Sequence, residues 1–477
     1  MAIALPLPRP AILRTTLVQR LWFGAGGLAI FITTILVMRV AVTSSQPGAQ
    51  TLGLDFMSFY TAGSALNEGR SADLYNLKAT RQFQAMLGQR DGIAVEGRYA
   101  PWWNPPFYAI VFKPLAKFRF QTALALWTVI NLLCAAIACW LLARVLPANA
   151  GPSRTLLIPT LMLISVPMFL TFTHGQNACT SLLLLTATVC LWRSRRGFAA
   201  GLAGGLLFYK PQLAAVIAIV MVIDLGWRAL AGYAATGFAL LVTTLIILPG
   251  ALTAFLRTVP KNLAFVQNEC PYPWDRHATF KAFWRILLQG QGIAPTSPIV
   301  KALGVLCIAI IAVAFGRLVL SYSLSQYSGG GLERGSREAF RRNAPHPNPP
   351  PKYWEREKRK TRDRLIAATI AVTPLLMPFY FDYDLLLLAV PAVLLAAEWI
   401  QSDEHSPSDR WLLRSFAALY LIMLFASDLA EQLRFNPIPP LLAMVAFLLI
   451  RRAGLPRSRS TSLRSQNNSN CRTPACS

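Results

Sequence analysis

The chain has 477 residues, 54% of them hydrophobic and only 14% charged, with a mean hydropathy of +0.44. A water-soluble domain carries about a quarter charged residues, so this composition excludes one. The net charge of +25 would suit nucleic acid, yet the Lys and Arg residues fall in the connections between apolar runs and in both ends of the chain, as topology signals do, and no nucleic-acid partner is expected.

In chain order, residues 1–20 carry Arg9, Arg14 and Arg20 and read as a cytoplasmic N-terminal segment ahead of a retained first span at 21–41. Further apolar runs follow at 122–143, 155–173, 178–192, 197–209, 212–225, 229–249, 299–320, 365–380, 384–400, 411–429 and 437–452. About 20 apolar residues let a helix cross the hydrocarbon core, and lipid offers no partner for an unpaired backbone group. The fold class is therefore all-α integral membrane, a polytopic bundle of about 12 transmembrane helices. Arg144, Arg154, Arg193, Arg195, Arg196, Arg228 and Arg410 then fall on the cytoplasmic side with both termini, and the long segments 42–121 and 250–298 fall outside. Residues 21–320 form an N-terminal transmembrane catalytic part and 365–452 the C-terminal helices. Between them, 321–364 reads as a disordered, basic cytoplasmic insertion containing Gly329-Gly330-Gly331, a proline run from Pro345 and Lys358-Arg359-Lys360; the tail 453–477 reads likewise.

Within the first outer segment, Leu74, Leu77, Phe83, Met86 and Leu87 share a helical face, which predicts an interfacial helix. Trp102-Trp103, then Asn104-Pro105-Pro106 and Phe107 to Phe118, predict an interfacial or re-entrant piece rather than a crossing.

Several residues could carry chemistry. Asp55 lies just beyond the first span among apolar and aromatic neighbours, surroundings that can tune a general base, although a solvated loop acid or helix cap is the plainer reading of its position. His174-Gly175-Gln176-Asn177 is expected at an outer turn, and Lys210-Pro211 breaks a short apolar hairpin, where an ionisable group is costly unless it has a task or reaches an interface. Arg276 and His277 lie in the second outer segment, and Asp382 and Asp384 in Tyr380-Phe381-Asp382-Tyr383-Asp384. Acids, histidines and aromatics thus gather on one side, as sugar handling requires. No nucleotide-binding Gly-rich loop, HExxH or paired CxxC occurs, which leaves a cytosolic nucleotide-driven mechanism without support; no cofactor and no metal is expected, a divalent ion near Asp382 and Asp384 being the alternative.

Asp55-Phe56 with Tyr60 and Ala62-Gly63, Leu74-Tyr75, Asn104-Pro105-Pro106-Phe107, Gly175-Gln176-Asn177, and Ala200-Gly201-Leu202 through Lys210-Pro211, in this order, resemble glycosyltransferase family 87. The resemblance spans residues 20–450 apart from the insertion. It implies a C-type membrane glycosyltransferase of the bacterial inner membrane, using a polyprenyl-phosphate-linked sugar, with mannose the expected hexose, and a lipid or glycan acceptor on the extracytoplasmic face. It further implies inversion at the anomeric carbon, with Asp55 as general base. Lys210, His174, Gln176, Asn177, Arg276, His277, Tyr60, Asn104, Asp382 and Asp384 are the candidates for holding donor phosphate or sugar. Membrane lipids complete the expected partners. The competing reading is a polytopic transporter or lipid-handling protein without transferase chemistry.

Overall fold

The computed structural model describes residues 52–93, 99–148, 150–151, 156–331, 351–402 and 406–454. The expected first span, the N-terminal segment and residues 455–477 of the tail lie outside them.

Among the described residues the protein is all-helical, with no strand and one isolated antiparallel bridge, His277 with Phe381. Helix α1 (Phe56–Asn67) is buried from Phe56 to Leu66, because it threads between other segments. Phe56, Phe59, Phe112 and Trp127 pack there ring on ring, Phe59 and Phe112 stacked at 4.7 Å. Gly63 makes the approach possible, since a Cβ there would sit 2.4 Å from the Phe112 carbonyl oxygen. Helix α2 (Leu77–Asp91) starts on the Asn76 side chain, which accepts from the Lys78 and Ala79 N–H groups, and stops at left-handed Gly92. Phe83 and Leu87 are buried, while Met86 from the expected apolar face is exposed. Helix α3 (Pro106–Phe112) has seven residues, about 10 Å of rise, so Phe107 to Phe118 does not cross.

The bundle follows: α4 (Phe120–Val145), α5 (Leu157–Leu163), α6 (Val166–His174), α7 (Ala178–Arg193), α8 (Gly197–Gly205) with a 3-10 turn Leu206–Tyr209, α9 (Pro211–Leu225) and α10 (Trp227–Ile247). Then come α11 (Ala251–Glu269), α12 (Phe280–Gln289), α13 (Pro298–Gly331), α14 (Pro351–Leu376), a 3-10 turn Asp382–Leu388 running into α15 (Ala389–Ile400), α16 (Pro407–Ile422), α17 (Ala426–Leu433) and α18 (Ile438–Gly454).

Among the described residues, which leave out the expected first span, these helices do not establish the twelve expected crossings. Four stretches are long and apolar enough, Phe120–Val145, Trp227–Ile247, Pro298–Ser325 and Asp382–Ile400; six result if α5 with α6, bent by 56°, and α16 with α17, bent by 72°, each count as one. Apolar runs report removal from water and not full crossing, and breaks at Ser165-Val166-Pro167 and Lys210-Pro211 cut several runs into shorter helices. Helices α8 and α10 meet almost backbone to backbone: a Cβ on Gly201 would lie 2.2 Å from the Ala229 carbonyl oxygen, and one on Gly232 2.2 Å from that of Phe198.

The expected disordered insertion is also corrected at both edges. Residues 321–331 continue α13, and α14 already begins at Pro351, where Arg362, Asp363 and Arg364 find ionic partners that a solvated linker would lack.

Candidate active site

Asp55 is placed by backbone before side chain. The Gly53 N–H donates to the Thr173 carbonyl at 2.8 Å and the Asp55 N–H to that of His174 at 3.0 Å, pinning the start of α1 to the end of α6. Gly175 closes α6 in the left-handed region (φ 69°), and a Cβ there would lie 2.6 Å from the Phe56 Cβ. Trp127 fixes the same turn by donating from Nε1 to the Gly175 carbonyl at 2.9 Å. Asp55 precedes α1 but makes no side-chain cap bond. Its Oδ2 instead accepts from Gln176 Nε2 at 2.8 Å and lies 3.9 Å from Arg276 Nη1, with 30% of the side chain exposed.

That exposure faces a cavity of about 600 Å³, lined among others by Asp55, Asn104, Gln176, Asn177, Lys210, Arg276 and Asp384. Asn177 Nδ2 donates to the Tyr108 hydroxyl at 3.0 Å; that ring stacks on Tyr209 at 4.3 Å, whose hydroxyl is 2.6 Å from Ser181 Oγ. Lys210 stands at the break before Pro211, its Nζ donating to Asp384 Oδ1 at 2.6 Å, with both side chains under a tenth exposed. Arg276, from a 3-10 turn Trp274–Arg276, reaches Asp382 through Nε and Nη2, each at 3.3 Å. Burial works against its charge, but Asp382 and Asp55 outweigh that and hold the guanidinium above its usual value.

The remaining sequence candidates lie elsewhere. Asp382 and His174, with Arg276, border a second cavity of about 140 Å³ formed where the two bent helix pairs break. Tyr60 is buried beneath the first segment, its hydroxyl donating to Asp91 Oδ2 at 2.7 Å and accepting from Arg90 Nη2 at 2.6 Å, and it does not line the large cavity. Its neighbour Asp91 is opposed by burial, but the bonds from Arg90, Tyr60 and the Phe120 N–H prevail and hold the carboxyl below its usual range. His277 is also enclosed, its ring 4.1 Å from that of Phe381. Burial, with Arg276 and Lys281 adding repulsion, depresses it to about 3, so at neutral pH it is an uncharged imidazole and supplies no cation for a phosphate.

Two features of the cavity were not among the sequence candidates. Tyr383 lies under both cations, its ring centroid 5.1 Å from Lys210 Nζ and 5.7 Å from Arg276 Cζ. Phe255, Val259, Leu263 and Val266 of α11 provide an apolar wall, and their helical spacing was the available signal. Among the described residues, no three His, Cys, Asp or Glu side chains converge on a metal position.

The arrangement offers one carboxylate bordering open space, amides beside it, aromatic surfaces and two held cations. Residues 102–328 match the model of glycosyltransferase family 87. No curated protein and no solved structure matches the chain.

Proposed function

We propose that this chain, whose residues 102–328 match the glycosyltransferase family 87 model, is a glycosyltransferase that moves a hexose, mannose being the expected one, from a polyprenyl-phosphate-linked donor to a lipid or glycan acceptor on the extracytoplasmic face of a bacterial inner membrane. The observation that carries the reading is Asp55, bordering the large cavity and oriented by Gln176, with Lys210 and Arg276 on the same cavity wall.

In this reading the Asp55 carboxylate takes the proton of an acceptor hydroxyl as that oxygen bonds to the anomeric carbon. The bond from that carbon to the phosphate oxygen breaks on the opposite face, and the electron pair leaves with the polyprenyl phosphate. Attack opposite the leaving group inverts the centre. Lys210 and Arg276 balance the charge that develops on the phosphate, and Asn104, Gln176 and Asn177 offer hydrogen bonds to sugar hydroxyls. The α11 wall of Phe255, Val259, Leu263 and Val266 gives the first prenyl units an apolar contact, which is binding energy remote from the reacting carbon.

The test is transfer by the purified protein in liposomes, supplied with polyprenyl-phosphate-[14C]mannose and extracted lipids or glycans. Label is expected to move to an acceptor, with Asp55→Asn lowering transfer about 10³-fold. Full transfer by Asp55→Asn would refute the assigned base, and label moving only from a nucleotide sugar would refute the donor. A reporter inserted near residue 60 that is active only in the cytosol would overturn the sidedness.

A further inference from the structure

Both cations of the large cavity are held by carboxylates of one short turn. Asp384 takes Lys210 at 2.6 Å and Asp382 takes Arg276 through two contacts of 3.3 Å. The residue between them, Tyr383, puts its ring within 6 Å of both charges. Lys210 and Arg276 arrive from unrelated parts of the chain, the break before α9 and the turn before α12, and meet only here. The turn itself is fixed: Tyr383 N–H donates to Asp382 Oδ1 at 2.8 Å, Tyr380 Oη donates to the Asp384 carbonyl at 3.0 Å, and residues 382–388 are all buried. Asp384 lines the large cavity but is only 4% exposed, its Oδ1 taking the Lys210 ammonium, and Asp382 borders the smaller cavity with Arg276. Neither carboxylate is therefore well placed to receive sugar hydroxyls, which the residue types alone suggested.

We infer that Asp382 and Asp384 form a charge rack: they touch no substrate, and act by fixing Lys210 and Arg276 over the Tyr383 ring as a two-cation seat for the phosphate of the lipid-linked donor. This rests on the proposed donor reading. A carboxylate behind each cation fixes its position and leaves its remaining donors for an incoming anion. Asp382 and Asp384 are then positioning residues, and Lys210 and Arg276 the groups that meet the phosphate.

Kinetics on liposome-reconstituted protein test this, with donor and acceptor varied separately. Asp384→Asn is expected to raise the donor KM about tenfold, the worth of one charged hydrogen bond, with acceptor KM unchanged. A change in acceptor KM with donor KM intact would overturn the rack and put Asp384 on the sugar. If Asp384→Asn fails to fold, Lys210→Met with Asp384→Leu replaces the buried pair by apolar groups, an exchange that proteins often tolerate. Its donor KM should equal that of Lys210→Met alone, because a residue acting only through Lys210 has nothing further to lose. An additional loss in the double variant sinks the inference. Wild-type protein inactive with every lipid-linked sugar would instead refute the donor reading, so the two failures are distinguishable.

Discussion

The two ends of the bundle are built from the same chemistry and do different things. Away from the cavity, three consecutive residues of α14 each seize a different helix: Arg362 pairs with Asp224 of α9, Asp363 with Arg193 of α7, and Arg364 with Glu398 of α15. Glu398 also takes Arg452 of α18, which in turn pairs with Asp409 of α16. Asp224 is completed by Trp192 Nε1 and the Tyr322 hydroxyl, both donating at 2.7 Å. The 14 residue steps along α9 put about 21 Å between Asp224 and Lys210. At the cavity end, ion pairs of similar length border open volume. A pair that borders no cavity is a fastener, whereas a pair beside a cavity leaves one partner available to a ligand.

That contrast can be broken at either end, and the largest effect belongs to the cavity. Asp55→Asn should lower transfer about 10³-fold while leaving the melting temperature in detergent unchanged. An equal loss of melting temperature would show that Asp55 fastens the fold as Arg362 does. The reverse pattern is expected of Arg362→Met, which leaves Asp224 buried and short of its cation: about 3 kcal/mol of stability lost in denaturant titration, with donor and acceptor KM of the folded fraction unchanged. Gly201→Leu tests packing between the ends, and forcing α8 from α10 should cost about 2 kcal/mol in the same titration.

The smallest effect sharpens the comparison through pH. Asp91 has its carboxyl depressed in the folded protein, so its stabilisation is complete above the unfolded value near 4 and is lost as pH falls through the lower folded value. Asp91→Asn should therefore cost about 1.5 kcal/mol at pH 7 and progressively less in acid, read from melting curves across pH. A cost independent of pH would mean that the charge of Asp91 contributes nothing.

Asp55, Gln176, Asn177 and Lys210 were legible because each is a polar residue set against an apolar run, where the environment makes the residue type informative. Their convergence was less so: Lys210 and Asp384 are 174 positions apart, and no local pattern states which acid meets which cation. Tyr60, a candidate through the resemblance, and His277, one by its place in the second outer segment, are occupied in packing, since an aromatic or imidazole ring beside apolar residues reads alike in a core and in a pocket. The all-helical class followed from composition. The number of crossings is not fixed by it, because hydropathy measures absence of water, and α8 and α9 satisfy it with 9 and 15 residues. Arg362, Asp363 and Arg364 seemed to belong to a basic linker, as their partners lie on helices far off in the chain.

Gly175 carries no charge, no hydroxyl and no acidic proton, so a survey of reactive side chains would pass over it. Yet any bulkier residue there must push Phe56 away and carry the neighbouring carboxylate with it. A strain harbouring such an exchange would resemble a knockout of the chemistry itself, with every reacting group still encoded.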